Sequence, residues 1–261
     1  MQDRGLAAYI AELLGTLFLV FVVGTVVTLF VASSPDAQTG SDFAVIGLVH
    51  AFMLFGLIMA FGAVSGGHFN PAVTLAAGIQ RKIDPVDAVV YILAQLSGAV
   101  LGALLVKGLL LDEGRALGYG NPEVSGLLGG NFAGFIVEGL GTFLLVLVIL
   151  AVAMNPRARQ EWAPLAIGST LGFLVMIFGP LTGGSFNPAR WFGPALIGDG
   201  IDGSDLLVYV LGPLVGALLA FLVYRFVIAG PQFAEGSEPP TSDARAVGQA
   251  VKDAEVRARN K

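Results

Sequence analysis

Two copies of one tripeptide carry the side chains of this sequence that are best suited to chemistry on a small molecule. Asn70-Pro71-Ala72 and Asn187-Pro188-Ala189 each place an amide, which both donates and accepts hydrogen bonds, directly before a proline. Asn is a preferred N-cap, and Pro suits the first turn of a helix. Each tripeptide therefore predicts the start of a helix whose positive dipole end lies beside an amide.

Other chemistries find little support in the composition. The chain has no cysteine and only two histidines, His50 and His68, so a metal cluster or a catalytic triad is not expected. The net charge of -5 argues against a nucleic-acid partner. We expect neither an enzyme nor a bound metal or cofactor.

The elements that must position the tripeptides are membrane helices. The 261 residues are 55% hydrophobic and 13% charged, and 36 of them are glycines, which let helices pack closely in lipid. A span needs about 20 apolar residues. Six segments qualify: Leu6–Val31, Phe43–Val64, Val86–Leu111, Phe132–Met154, Pro164–Leu181 and Leu206–Ile228.

The distribution of basic residues predicts the orientation of these spans. Short connections at alternate ends of the spans carry the Lys and Arg residues, which favour the cytoplasmic side. They are Arg4, Arg81, Lys82, Arg157, Arg159 and Arg225. Both termini are therefore expected inside. We predict one channel-like domain over residues 1–230 and a polar cytoplasmic tail over 231–261, whose composition cannot bury a core.

The two halves of the sequence resemble each other. Ala11–Val20 is echoed by Val137–Val146, and Ser65–Ala72 by Thr182–Ala189. The first repeat covers about residues 6–111 and the second about 132–229. Because each repeat has three spans, the second enters the membrane in the opposite sense, which places function at the midplane between them.

The segments around the tripeptides are too short to span again, so each predicts a re-entrant half-helix. Irregular backbone at membrane depth is tolerated only when it is buried in protein or lines a wet cavity. The alternative is that Asn70 and Asn187 merely cap helices that pack elsewhere.

These residues resemble the aquaporin or major intrinsic protein family. The resemblance rests on both Asn-Pro-Ala tripeptides, their Ser/Thr-Gly-Gly prefaces, the paired Glu12 and Glu138, and Arg190, and it covers about residues 6–229. It implies an all-α membrane fold of six spans plus two half-helices in an inverted 3+3 repeat. It also implies a pore in each subunit of a homotetramer, which we expect in the cell membrane.

The same resemblance implies roles for further residues. Counting from the tripeptides places a selectivity filter at His50, Val175, Gly184 and Arg190. Glu12, Glu138 and His68 are expected to brace the re-entrant loops, since a carboxylate inside a membrane helix is too costly to face lipid. A proton-relay role for the two glutamates is the transporter alternative.

The filter residues favour water as the main permeant. His50, Val175 and Gly184 are most similar to the filter of some plant vacuolar members, and Trp191 stands where glycerol members tend to carry Asp. Ammonia or another very small neutral solute is a second expected permeant. The alternatives are a glycerol-type facilitator of the same family and an ion-coupled secondary transporter, whose flux would follow an ion gradient.

Overall fold

A computed structural model describes residues 5–31, 41–198 and 200–229, and all regular structure in those ranges is helical. The helices are α1 (Gly5–Val31), α2 (Ser41–Ser65), α3 (Pro71–Ile79), α4 (Pro85–Leu109), α5 (Leu111–Arg115), α6 (Asn131–Val152), α7 (Ala163–Thr182), α8 (Pro188–Ile197), α9 (Gly203–Leu206) and α10 (Gly212–Val223). A π-helical segment, Leu207–Leu211, joins α9 to α10, and another, Tyr224–Ile228, follows α10.

The predicted all-α fold with six spans is confirmed. Within the described residues, six helices are long and apolar enough to cross a membrane, and the last runs continuously over Gly203–Ile228. It begins earlier than the predicted Leu206 because the Asp202 side chain accepts from Ser204 N at 2.8 Å and caps the first turn. Phe52 and Phe173 are exposed by 61% and 63%, a surface that suits lipid rather than water.

The helix contacts follow the inverted repeat. α1 packs on α4 as α6 packs on α10, and α4 meets α8 as α10 meets α3. Both helix crossings depend on a missing side chain: a Cβ on Gly98 would lie 2.2 Å from Leu13 O, and one on Gly216 would lie 2.1 Å from Gly139 O. Lipid provides no hydrophobic drive for helix association, so such backbone contact supplies the packing energy.

Several predictions concern residues beyond the described ranges. Arg4 and the polar tail over 231–261 lie outside the residues that the structure describes. The domain boundary at residue 230 therefore stays a prediction.

Candidate functional site

The two short helices α3 and α8 are joined through their N-cap asparagines. Asn70 Oδ1 accepts from Ala72 N at 2.9 Å, while Asn70 Nδ2 donates to Phe186 O at 2.9 Å. Asn187 repeats this arrangement, accepting from Ala189 N at 3.0 Å and donating to Phe69 O at 2.8 Å. Each asparagine thus caps its own half-helix and bonds the loop of the other repeat.

Each asparagine keeps one N–H for another partner. A side-chain amide has two N–H donors, and the crossed bonds use one of them. Asn70 and Asn187 both line a cavity within the described residues. The second N–H groups are therefore available to a molecule inside that cavity.

The residues before the asparagines adopt an unusual backbone. Phe69 has φ of 48° and Phe186 has φ of 49°, in the left-handed region that costs a non-glycine residue about 1–2 kcal/mol. Their rings are fully buried, and a Cβ on Gly15 or Gly141 would lie 2.1 Å from one of them. These glycines make room for the rings that hold the two loops in this conformation.

Glu12 supports the first loop. Its carboxyl oxygens accept from Ser65 Oγ at 2.6 Å, His68 N at 2.9 Å and Phe69 N at 2.7 Å. Gln95 Nε2 adds a fourth bond at 2.7 Å. The cost of burying this acidic side chain is therefore offset by hydrogen bonds from the loop and from α4.

Glu138 does the same for the second loop, with one partner fewer. It accepts from Thr182 Oγ1 at 2.7 Å, Ser185 N at 3.0 Å and Phe186 N at 2.6 Å. Pro213 occupies the repeat position of Gln95 and has no side-chain donor. Each glutamate thus accepts three hydrogen bonds from its own loop segment, and Glu12 has a further donor, Gln95, on α4.

Sequence reasoning missed several supporting side chains. Tyr91 donates to Ser65 O at 2.8 Å, and Tyr209 donates to Thr182 O at 3.0 Å. Gln95 also donates to Thr74 Oγ1 at 2.9 Å, and His68 Nδ1 lies 3.1 Å from the same oxygen. The recurrence of Tyr in both repeats, and a lone Gln within an apolar helix, were the available signals.

The cavity has a volume of about 590 Å³ and is lined by residues of both repeats. His50, Arg190, both asparagines, Lys82 and Gln160 are among the residues that line it. Its wall is mostly apolar, so the polar groups that face it stand out as the places where a solute can bond.

His50 and Arg190 each present an unpaired buried nitrogen. His50 Nδ1 is 2.8 Å from Ile46 O, and because a carbonyl only accepts, Nδ1 carries the proton and Nε2 is left without a protein partner. Arg190 Nη1 donates to Gly120 O at 2.8 Å, whereas its Nε–H has no protein partner. An acceptor and a donor therefore both line the cavity.

Val175 and Gly184, the other two predicted filter residues, lie against each other. A Cβ on Gly184 would be 3.4 Å from Val175 Cα, and neither residue lines the cavity. The structure thus brings His50 together with Arg190, and Val175 together with Gly184. The filter roles of all four stay predictions. No group of three His, Asp or Glu side chains suited to a metal ion occurs within the described ranges.

A family comparison gives the identity of this arrangement. The model of the family described as "Major intrinsic protein" matches residues 2–224. The chain belongs to the major intrinsic protein family. Members of this family are passive channels rather than enzymes, so the chain is an integral, multi-pass membrane channel, as predicted.

Individual members of the major intrinsic protein family resemble the chain over most of its length. A "Glycerol uptake facilitator protein-like 6" of Lactiplantibacillus plantarum is 44% identical, over 83% of this chain and 96% of its own. A "Probable aquaporin TIP2-2" of Oryza sativa subsp. japonica is 39% identical, over 85% and 87%. The X-ray structure of the aquaglyceroporin from Plasmodium falciparum superposes with a TM-score of 0.73 at 26% identity, covering 85% of this chain and 96% of that one.

Proposed function

We propose that this channel conducts water as its main solute and excludes protons and ions. The observation that carries the proposal is the crossed pair of asparagines, each with one N–H left for the cavity. A water that accepts from both asparagines has its oxygen held at the Asn pair, so its own hydrogens point away toward either end. A chain of waters oriented outward from one point cannot pass a proton along its length.

Electrostatics act in the same direction. α3 and α8 both begin at the Asn pair, so two positive helix ends face the middle of the cavity. Arg190 adds a full positive charge to the lining, and no carboxyl side chain is among the residues that line the described cavity. Cations, including hydronium, therefore meet a repulsive field, whereas neutral water does not.

His50 and Arg190, the two predicted filter residues that line the cavity, suit small neutral molecules that both donate and accept hydrogen bonds. His50 Nε2 accepts, and Arg190 Nε–H donates. Water and ammonia can use both groups at once, and we include ammonia as a second permeant. The glycerol-type facilitator remains the second candidate, favoured by the 44% identity to a relative named as a glycerol facilitator.

We further propose the orientation, the assembly and the membrane of the channel. Lys82 and the basic residues near it favour the cytoplasmic side by charge, which leaves both termini inside the cell. By family resemblance the protein is a homotetramer in the cell membrane, with one pore per subunit.

A permeability panel tests these proposals. Vesicles containing the full chain are compared with empty vesicles in stopped-flow light scattering, using water, ammonia, urea and glycerol in turn. We expect water to cross far faster than in empty vesicles and glycerol to cross little faster. Water permeability equal to that of empty vesicles would refute the water proposal, and glycerol flux as high as water flux would favour the facilitator. Flux that followed a sodium or proton gradient would instead indicate a coupled transporter.

A further inference from the structure

A lysine near the end of α4 is not explained by the charge pattern that orients the spans. Lys107 lies at the end of α4 opposite to Arg81 and Lys82, where that pattern leaves few basic residues. Its side chain is partly buried and makes two contacts. Lys107 Nζ donates to Ile197 O at 3.3 Å, and it lies 5.1 Å from the centroid of the Tyr119 ring.

The first contact of Lys107 is with the half-helix that carries Arg190. Ile197 is the last residue of α8, and Arg190 lies in the first turn of the same helix. A positive charge that donates to the carbonyls at the end of a helix complements the negative end of the helix dipole. Lys107 therefore stabilises α8 from the end opposite to the Asn pair.

The second contact of Lys107 is with the turn that supplies the acceptor of Arg190. Tyr119 directly precedes Gly120, whose carbonyl accepts from Arg190 Nη1 at 2.8 Å. The Tyr119 ring is buried, and a Cβ on Gly114 would lie 2.5 Å from it. A Cβ on Gly120 would lie 2.6 Å from Gly24 Cα of α1. Close packing on both sides thus fixes the position of the Gly120 carbonyl.

The end of α8 and this turn also touch each other. A Cβ on Gly198, which follows α8, would lie 2.8 Å from Gly118 Cα. Lys107 therefore lies where α4, the end of α8 and the turn around Gly120 come together. In the first repeat, Val73 stands at the position of Arg190, so that half-helix has no guanidinium to hold.

We propose that Lys107 is a positioning residue for Arg190. Its ammonium keeps the end of α8 and the turn at Tyr119 together, and the Gly120 carbonyl then holds the Arg190 guanidinium at the wall of the cavity. Without this ammonium, the guanidinium leaves Gly120 O more often and enters the solute path. The expected loss of water flux rests on the proposed function, whereas the contacts themselves do not.

Lys107→Met tests this role, because it keeps the length of the side chain and removes its charge. We expect water permeability per folded channel to fall about twofold to fivefold, the range for loss of one cation–π contact at a partly exposed site. Stopped-flow light scattering gives the permeability, and the amount of folded protein in the vesicles normalises it. Lys107→Arg keeps a cation that donates and stacks, and it should restore the flux.

Two further comparisons locate the effect. Tyr119→Leu removes the ring and should lower water permeability as Lys107→Met does, whereas Tyr119→Phe keeps the ring and should behave as the wild type. Arg115→Met is the control for loss of a cation, because Arg115 is exposed on the neighbouring α5 and lies 3.8 Å from the exposed Asp112. It should leave the permeability unchanged.

A double-mutant cycle separates positioning of Arg190 from a merely structural role. In the Arg190→Val background, Lys107→Met should leave water permeability unchanged, because no guanidinium remains to be held. An equal fall in both backgrounds would overturn the proposal. So would wild-type permeability of Lys107→Met, failure of Lys107→Arg to restore flux, or an equal fall with Arg115→Met.

Failure of the proposed function would be recognised separately. A wild-type chain that passed glycerol but no water would refute the proposal on water. The same variants compared by glycerol flux would then still decide whether Lys107 positions Arg190.

Discussion

Arg190 is the residue whose charge acts most directly on ion exclusion. It is buried, lines the cavity and donates a hydrogen bond to a backbone carbonyl, Gly120 O, rather than to a carboxylate. We expect Arg190→Val to keep water flux and to raise proton and cation leak about tenfold or more. Two like charges about 4 Å apart repel each other by about 4 kcal/mol near a protein surface, and this variant removes that repulsion from the path of a cation. Pyranine-loaded vesicles measure the proton leak.

Arg190→Lys is the matched control for that prediction. It keeps the positive charge while changing the hydrogen-bond geometry, so leak should stay close to the wild-type level. If Arg190→Val leaked no more than Arg190→Lys, the electrostatic role proposed for Arg190 would be wrong.

The loop glutamates give a second prediction at the residue scale. Glu12→Gln and Glu138→Gln each replace an accepting oxygen by an NH₂ group that faces backbone N–H donors. We expect each to destabilise the folded chain by about 1–3 kcal/mol, lowering the melting temperature followed by tryptophan fluorescence. Glu138→Gln should reduce water flux per folded molecule more strongly, because Glu138 holds the loop just before Arg190 and has no donor at the position that corresponds to Gln95. Equal melting temperatures in wild type and variants would contradict this account.

Sequence reasoning reached the site only as far as local patterns extend. Asn followed by Pro predicts a helix cap wherever it occurs, and the caps at Asn70 and Asn187 follow that pattern. The acceptors Phe186 O and Phe69 O could not be predicted, because each lies more than 110 residues away and is a backbone atom without a sequence signal. The role of Gln95 was missed for the same reason: its partner Glu12 lies on another helix.

At the scale of helices, close crossings fixed by glycine dominate the packing. Gly98→Val on α4 would push a side chain against the backbone of α1, because even an added Cβ would lie 2.2 Å from Leu13 O. Overpacking of this kind costs about 1–3 kcal/mol, and a fixed carbonyl gives way less readily than a side chain. We expect a lower melting temperature and less folded protein in the membrane.

Gly108→Val is the control for this prediction, since Gly108 lies on the same helix with nothing within 4 Å of its Cβ position. It should fold as the wild type does. Equal stability of the two variants would show that the crossing does not depend on Gly98.

The predicted helices differ from the observed ones mainly at their ends. The predicted third span continued to Leu111, but α4 ends at Leu109, and Leu110 has φ of -129° and ψ of 54° before α5 begins. Hydropathy reports which residues avoid water and not where the backbone turns, so an apolar run can extend beyond its helix. The six spans themselves were predictable because length and composition alone define them.

At the scale of the whole molecule, the absence of cysteine makes a simple prediction. The 261-residue chain has no thiol, so mercurial reagents have no thiolate to bind. We expect water permeability in vesicles to be unchanged by mercuric chloride. Inhibition that a thiol reagent then reversed would contradict this prediction, and a variant with Cys in place of Val73 should become sensitive because residue 73 lines the cavity.

The crossed asparagine bonds also constrain how the channel is made. During synthesis, the Asn70 side-chain amide cannot form its hydrogen bond to Phe186 O until that residue, 116 positions later in the chain, has been made. The first repeat can enter the bilayer before the second has left the ribosome, but its loop then lacks its last partner. The water path is therefore completed only when the second loop docks. A chain that is only half synthesised does not yet form a pore across the membrane.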